Sequence, residues 1–79
     1  MDTKELLQRI EINPKKLVGK PVIRGTRIAV EQILRMLAVG RTGDEILLDF
    51  PQLTKEDIQA TILYAAELVE DFDVYPRKK

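Results

Sequence analysis

The chain has 79 residues, 44% of them apolar, with 13 Lys and Arg balancing 13 Asp and Glu. That length and composition describe one small folded domain with a thin core rather than a disordered chain. There is no Cys and no His, which excludes disulfides, thiol nucleophiles, zinc-type ligation and the usual general base.

The zero net charge conceals an asymmetry. Residues 1–41 hold nine Lys and Arg against four Asp and Glu, a balance of +5, whereas residues 42–76 hold one against nine, a balance of −8. Phosphate is expected to meet the first half and basic partners the second. No apolar run approaches the roughly 18 residues of a membrane helix, and Met1-Asp2-Thr3 does not open a secretory signal. The expectation is a soluble, cytoplasmic protein.

Leu6, Leu7 and Ile10 stand at helical spacing, while Ile10-Glu11-Ile12 alternates like a strand. The reading is a short helical turn over 4–8 and a strand over 9–12, broken at Asn13-Pro14. A basic β element follows over 15–30. Pro21 to Ile23 and Arg27 to Val30 read as two short strands around Arg24-Gly25-Thr26, with Gly25 where a reversal needs positive φ. Lys15, Lys16, Lys20, Arg24 and Arg27 crowd this stretch, and Val22, Ile23, Ile28 and Val30 between them must be buried.

Three helices are predicted beyond it. The first, 30–39, carries Val30, Ile33, Leu34 and Leu37 on one face and ends at Gly40 in a C′ position. The second, 43–49, opens with a Thr42/Glu45 capping box, buries Ile46, Leu47 and Phe50, and stops before Pro51. The third, 55–71, has Thr54 as its N-cap and Asp57 at N3. Ile58, Ile62, Ala65, Ala66 and Val69 are expected as its buried stripe, widened by Leu63 and Leu68 beyond what one small core needs. The fold class is therefore mainly α: a three-helix, homeodomain-like helix-turn-helix core preceded by a short β-strand or hairpin. Residues 1–79 are taken as a single domain, with an arm over 1–14, the β element over 15–30, the helical core over 31–71 and a tail over 72–79.

The short link between the second and third helices suits a helix-turn-helix, which would offer Gln52, Lys55, Glu56, Gln59 and Thr61 to a DNA groove. A plain helical bundle joins helices in the same way. Lys55 stands against Glu56 and Asp57, so the charge of this helix favours protein contact over insertion between phosphates. The basic element is the better phosphate candidate, through Lys20, Arg24, Thr26 and Arg27. The alternative there is a solvated hairpin whose arginines pair with Asp44, Glu45 or Asp49. Gly19-Lys20 does not have phosphate-loop spacing, and the carboxylate pairs are helix-end chemistry. No catalytic residue, metal ligand or cofactor is expected. Ile10, Ile12, Leu63, Leu68, Val69 and Phe72 are the candidate dimer or partner contacts.

The run NPKKLVGKPVIRGTRIAV, then VGRTGDEIL, then DFPQLTKEDIQATILYAA, resembles the bacterial and archaeal domain-of-unknown-function family 433. The likeness covers roughly residues 6–69 and is matched at Asn13-Pro14, Gly19-Lys20-Pro21, Gly25-Thr26-Arg27, Pro51 and Leu53-Thr54. Ala29 stands where many members carry proline, so a looser start to the first helix is expected. The resemblance implies a small helix-turn-helix antitoxin of the VapB type. It also implies binding and inhibition of a PIN-like ribonuclease toxin, a homodimer, and repression of its own operon through DNA. The other reading is a small protein-interaction module that does not touch DNA.

Overall fold

The computed structural model describes residues 1–70. In chain order they form helix α1 (Thr3–Leu7), strand β1 (Ile10–Ile12), a single 3-10 turn over Leu17–Gly19, strand β2 (Pro21–Ile23), and helices α2 (Val30–Ala38), α3 (Gly43–Asp49) and α4 (Lys55–Glu70). The fold is thus mainly helical with one small antiparallel sheet. Residue 71 and the tail over 72–79, Phe72 among them, lie outside the described residues.

Local chemistry sets most boundaries. Asp2 opens α1, its Oδ1 accepting the Glu5 N–H at 2.9 Å. The Thr42/Glu45 capping box of α3 is complete: Thr42 Oγ1 accepts the Glu45 N–H at 3.1 Å, and Glu45 Oε1 accepts the Thr42 N–H at 2.8 Å. Thr54 and Asp57 repeat the arrangement at α4, with bonds of 2.9 and 3.3 Å. Helix α2 ends in a Schellman motif. Gly40, at φ +94°, donates to Leu37 O, and Arg41 donates to Met36 O, each at 3.0 Å. That positive φ is why glycine belongs there.

The sheet differs from the expected hairpin over 21–30. Strand β2 pairs with β1, in the register Ile10 with Ile23, Glu11 with Val22 and Ile12 with Pro21. Residues 27–30 contribute only an isolated bridge from Ala29 to Val22. The reason is that Ala29 is already the N-cap of α2, so the chain becomes helical at Val30 before a second strand can extend. Pro21 tolerates its place because a strand start asks little of its missing N–H.

The core gathers Ile10, Ile23, Val30, Ile33, Ile46 and Ile58, with Leu53 and Ala60 closing it. Val22, Ile23, Ile28 and Val30 are all buried, as their place among charged neighbours requires. The inward face of α4 is not the expected stripe. Asp57, Ile58, Ala60 and Thr61 are buried, whereas Ile62 is half exposed and Val69 is 69% exposed. Full burial on α4 ends at Thr61; beyond it Leu63, Tyr64 and Ala65 are half-buried, whereas Ile62, Leu68 and Val69 are exposed.

One segment is strained. Leu17, Val18 and Gly19 are consecutive left-handed residues, at φ 47°, 57° and 79°. A β-branched residue is rare there, and Val18 gains no burial in return, being 96% exposed.

Candidate functional site

Three surface regions hold the sequence-predicted site residues. The first surrounds the start of α4. Arg9, at the mouth of β1, reaches across so that its Nη1 donates to Asp57 Oδ1 at 3.0 Å and to Thr54 Oγ1 at 3.4 Å. Asp57 is only 6% exposed, and its other oxygen accepts the Thr54 N–H. Both its oxygens are therefore occupied, one by the helix cap and one by the guanidinium. Arg24 stands beside Arg9. Its backbone N–H donates to Arg9 O at 2.8 Å, and its Nε donates to Gln8 O. The two arginines, Asp57, Gln8, Glu5 and Met1 line an open cleft of about 820 Å³.

Lys55 and Gln59 stand exposed on another flank of α4, over a smaller cleft shared with Thr42, Gly43 and Asp44. Gln52 is also exposed, in the link before α4. Thr61 is not available to any groove. It is fully buried, and its hydroxyl donates to Asp57 O at 3.0 Å within the helix.

The basic element is broken up rather than gathered. Lys20 pairs with Glu31 at the start of α2, and the shallow groove beside it is lined by Leu17, Val18, Gln32 and Arg35. Thr26 is built into the turn: its hydroxyl donates to Ile23 O at 2.7 Å and accepts the Ile28 N–H at 3.0 Å. That engagement removes Thr26 from the DNA-contact set, because a ligand would have to break the turn to reach its hydroxyl. Arg27 is exposed. The alternative pairing with Asp44, Glu45 or Asp49 also fails for Arg24, which meets Gln8. It is Arg41 that pairs with Asp49.

Glu11 organises the back of this element. Its carboxylate is held below the ordinary range, first by the Lys16 ammonium at 3.1 Å and then by the Gly25 N–H at 3.3 Å. Lys16 Nζ donates onward to Thr26 O at 3.3 Å. Glu11, Lys16 and the 24–26 turn therefore form one clamp.

The third region is apolar. Leu7, Ile10, Ile12, Tyr64 and Leu68 line a groove of about 360 Å³ between β1 and α4. Ile12 is 60% exposed and shares this groove with the exposed Leu68; Val69, next in the chain, is exposed as well. Leu63 is half buried. Ile10 lines the floor of this groove but is mostly buried in the core and paired with Ile23, so it offers a contact little surface.

Arg9 is the residue that sequence reasoning missed. Its partner is 48 positions away; the only trace in the sequence is an acidic residue at N3 of a predicted helix, which its capping role already explains. Among the described residues no group of His, Cys, Asp and Glu is placed to hold a metal ion, and no helix is long and apolar enough to cross a membrane.

Residues 10–65 match the family described as "Protein of unknown function (DUF433)". An uncharacterized protein of Sinorhizobium fredii, y4eO, is 36% identical over 53 residues, which is 67% of this chain and 24% of that protein. A solved DUF433 member protein from Anabaena variabilis superposes with a TM-score of 0.76 at 33% identity, covering 85% of this chain and 66% of that one. The chain thus spans about a quarter of the first relative and just under two thirds of the second. With the match extending from β1 well into α4, this chain belongs to the DUF433 family.

Proposed function

We propose that the chain is a binding subunit, an antitoxin that covers and silences a PIN-like ribonuclease in the cytoplasm. The observation that carries this reading is the exposed apolar pair Ile12 and Leu68 lining the β1–α4 groove. A small domain that leaves such side chains together at its surface has a surface suited to protein contact. The acidic balance of residues 42–76 complements the basic rim expected of an RNA-cleaving site. Nothing in the reading requires catalysis by this chain.

Co-expression with a PIN-like nuclease encoded beside its own gene tests the proposal. The two should co-purify, and RNA cleavage should stop at stoichiometric ratio. Ile12→Ser with Leu68→Ser should weaken the complex at least about tenfold, the loss of two buried apolar contacts. Full RNA cleavage in an excess of this chain would end the antitoxin reading.

A second reading, repression through DNA, is favoured by one specific arrangement. In this reading α3, the short link and α4 act as a helix-turn-helix of the homeodomain-like kind. Arg9 and Arg24 stand at one flank of the start of α4, with Lys55 and Gln59 at another. In a homodimer, a two-fold axis would carry two such sets onto one duplex. A salt series against the duplex upstream of the gene, with a scrambled control, tests it: steep and selective binding supports repression, and no binding at low salt leaves only the protein-binding role.

A further inference from the structure

We infer that Arg9 and Arg24 together form a phosphate-binding clamp in the cleft beside α4. This deepens the DNA reading and rests on it for the source of the phosphate, which is either a nucleic-acid backbone or free phosphate.

Three observations converge. The register that pairs Ile10 with Ile23 makes Arg9 and Arg24 the next cross-strand neighbours, and the Arg24 N–H bond to Arg9 O confirms the pairing. Residues opposite each other in an antiparallel pair leave the same face of the sheet, and like charges placed so are destabilising by themselves. Two arginines that leave neighbouring strand positions and line one cleft therefore offer a site that an anion relieves.

Second, both side chains are anchored through one nitrogen and keep others available. Arg9 is held by Nη1, to Asp57 and Thr54. Arg24 is held by Nε, to Gln8 O. Among the described residues, Arg9 Nε and Nη2 and both Arg24 Nη atoms have no protein acceptor. A tetrahedral phosphate accepts from several such donors at once, and anchoring reduces the rotamer freedom lost on binding.

Third, the nearby carboxylates offset the pair only in part, and no ion pair engages Arg24 among the described residues. Asp57 bonds Arg9 alone, with its other oxygen in the helix cap. Glu5 lines the cleft but forms no ion pair with either arginine. Its charge opposes an incoming anion across the mouth of the cleft, so Glu5 sets the affinity downward.

The test follows the side-chain Nε–Hε resonances of Arg9 and Arg24 in isotope-labelled protein. Inorganic phosphate is titrated in one arm and a short DNA duplex in the other, both at low salt. Saturable shifts of both resonances are expected. Glu5→Gln should tighten binding roughly threefold to tenfold and Arg24→Gln should weaken it by at least as much, the scale of one charge at such a distance. Glu5 and Arg24 are both exposed, so these variants keep the fold, and a melting curve checks that they do. Resonances unmoved in both arms overturn the clamp. Movement with phosphate but not duplex keeps the clamp and assigns it to free phosphate, against the DNA reading. Duplex binding that leaves both arginines unmoved overturns the clamp while the DNA reading survives.

Discussion

Arg9 and Asp57 meet at 3.0 Å across 48 positions of sequence, and their contact ties the first β-strand to the last helix. Asp57 is nearly buried, with its side chain 9% exposed against 31% for Arg9. Removing the cation leaves a desolvated carboxylate supported only by the helix cap. Arg9→Ala should therefore destabilise by about 1–3 kcal/mol, less than for a wholly buried pair because water screens the arginine side. Arg9→Ala with Asp57→Asn should recover part of the loss. Urea unfolding of wild type, the two single variants and the double variant checks the coupling, and simple additivity of the two single losses would show that the pair contributes nothing.

The corrected inward face of α4 gives a direct contrast. Ile58→Ala opens a cavity in the core and should cost about 2–4 kcal/mol. Ile62→Ala, from the half-exposed flank, should cost under about 1 kcal/mol. Equal losses for the two would mean that a partner surface already covers Ile62.

Val18 offers a stabilising change. A left-handed conformation costs a non-glycine residue about 1–3 kcal/mol, and the side chain is too exposed to offset it. Val18→Gly removes that strain and adds about 0.5–1 kcal/mol of unfolded-chain freedom. A net gain of about 0 to 2.5 kcal/mol should appear as a higher Tm.

At Ala29, φ is −72°, already the value a proline ring imposes. Ala29→Pro should raise stability by about 0.4–1 kcal/mol through the unfolded state. Calorimetry that finds a lower Tm would instead reveal a need for the Ala29 N–H or a clash with Ile28.

Acid should loosen the 24–26 turn. The Glu11 carboxyl is held low by Lys16 and the Gly25 N–H, so protons bind more readily to the unfolded chain. Its stabilising effect is complete above the ordinary carboxylate pKa and is lost as pH falls through the lowered folded value. Glu31, beside Lys20, and Glu45, at the Thr42 cap, act in the same direction. Glu11→Gln should lower Tm at neutral pH and shrink the difference from wild type in acid. A gap that stays constant with pH would remove Glu11 from the acid response.

Local chemistry was legible in the residues. Thr42 with Glu45, Thr54 with Asp57, and Gly40 after α2 each declare a helix end within four positions, and each is found where expected. What required distant partners was not. Residues 27–30 have strand composition, yet the α2 cap at Ala29 takes precedence and β1 becomes the partner of β2. The apolar residues of α4 outnumber the neighbours available to cover them, so periodicity alone places Ile62 and Val69 inward. Arg9 looks like any charge in an amino-terminal arm until Asp57 is brought beside it. In the basic element, composition suggested one cationic patch, whereas Lys20 turns to Glu31 and Arg24 to Gln8.

Helix α1 packs chiefly on α4, so the earliest helix of the described chain waits for the latest. A ribosome emitting this chain releases β1 and β2 before the helix that buries Ile10 and anchors Arg9 has emerged. Once outside the ribosome, Ile10 and Ile23 stay uncovered on that side until α4 has emerged, and the interactions of α4 form last. A pause in translation after β2 has left the ribosome and before α4 has should prolong that interval and lower the yield of folded protein.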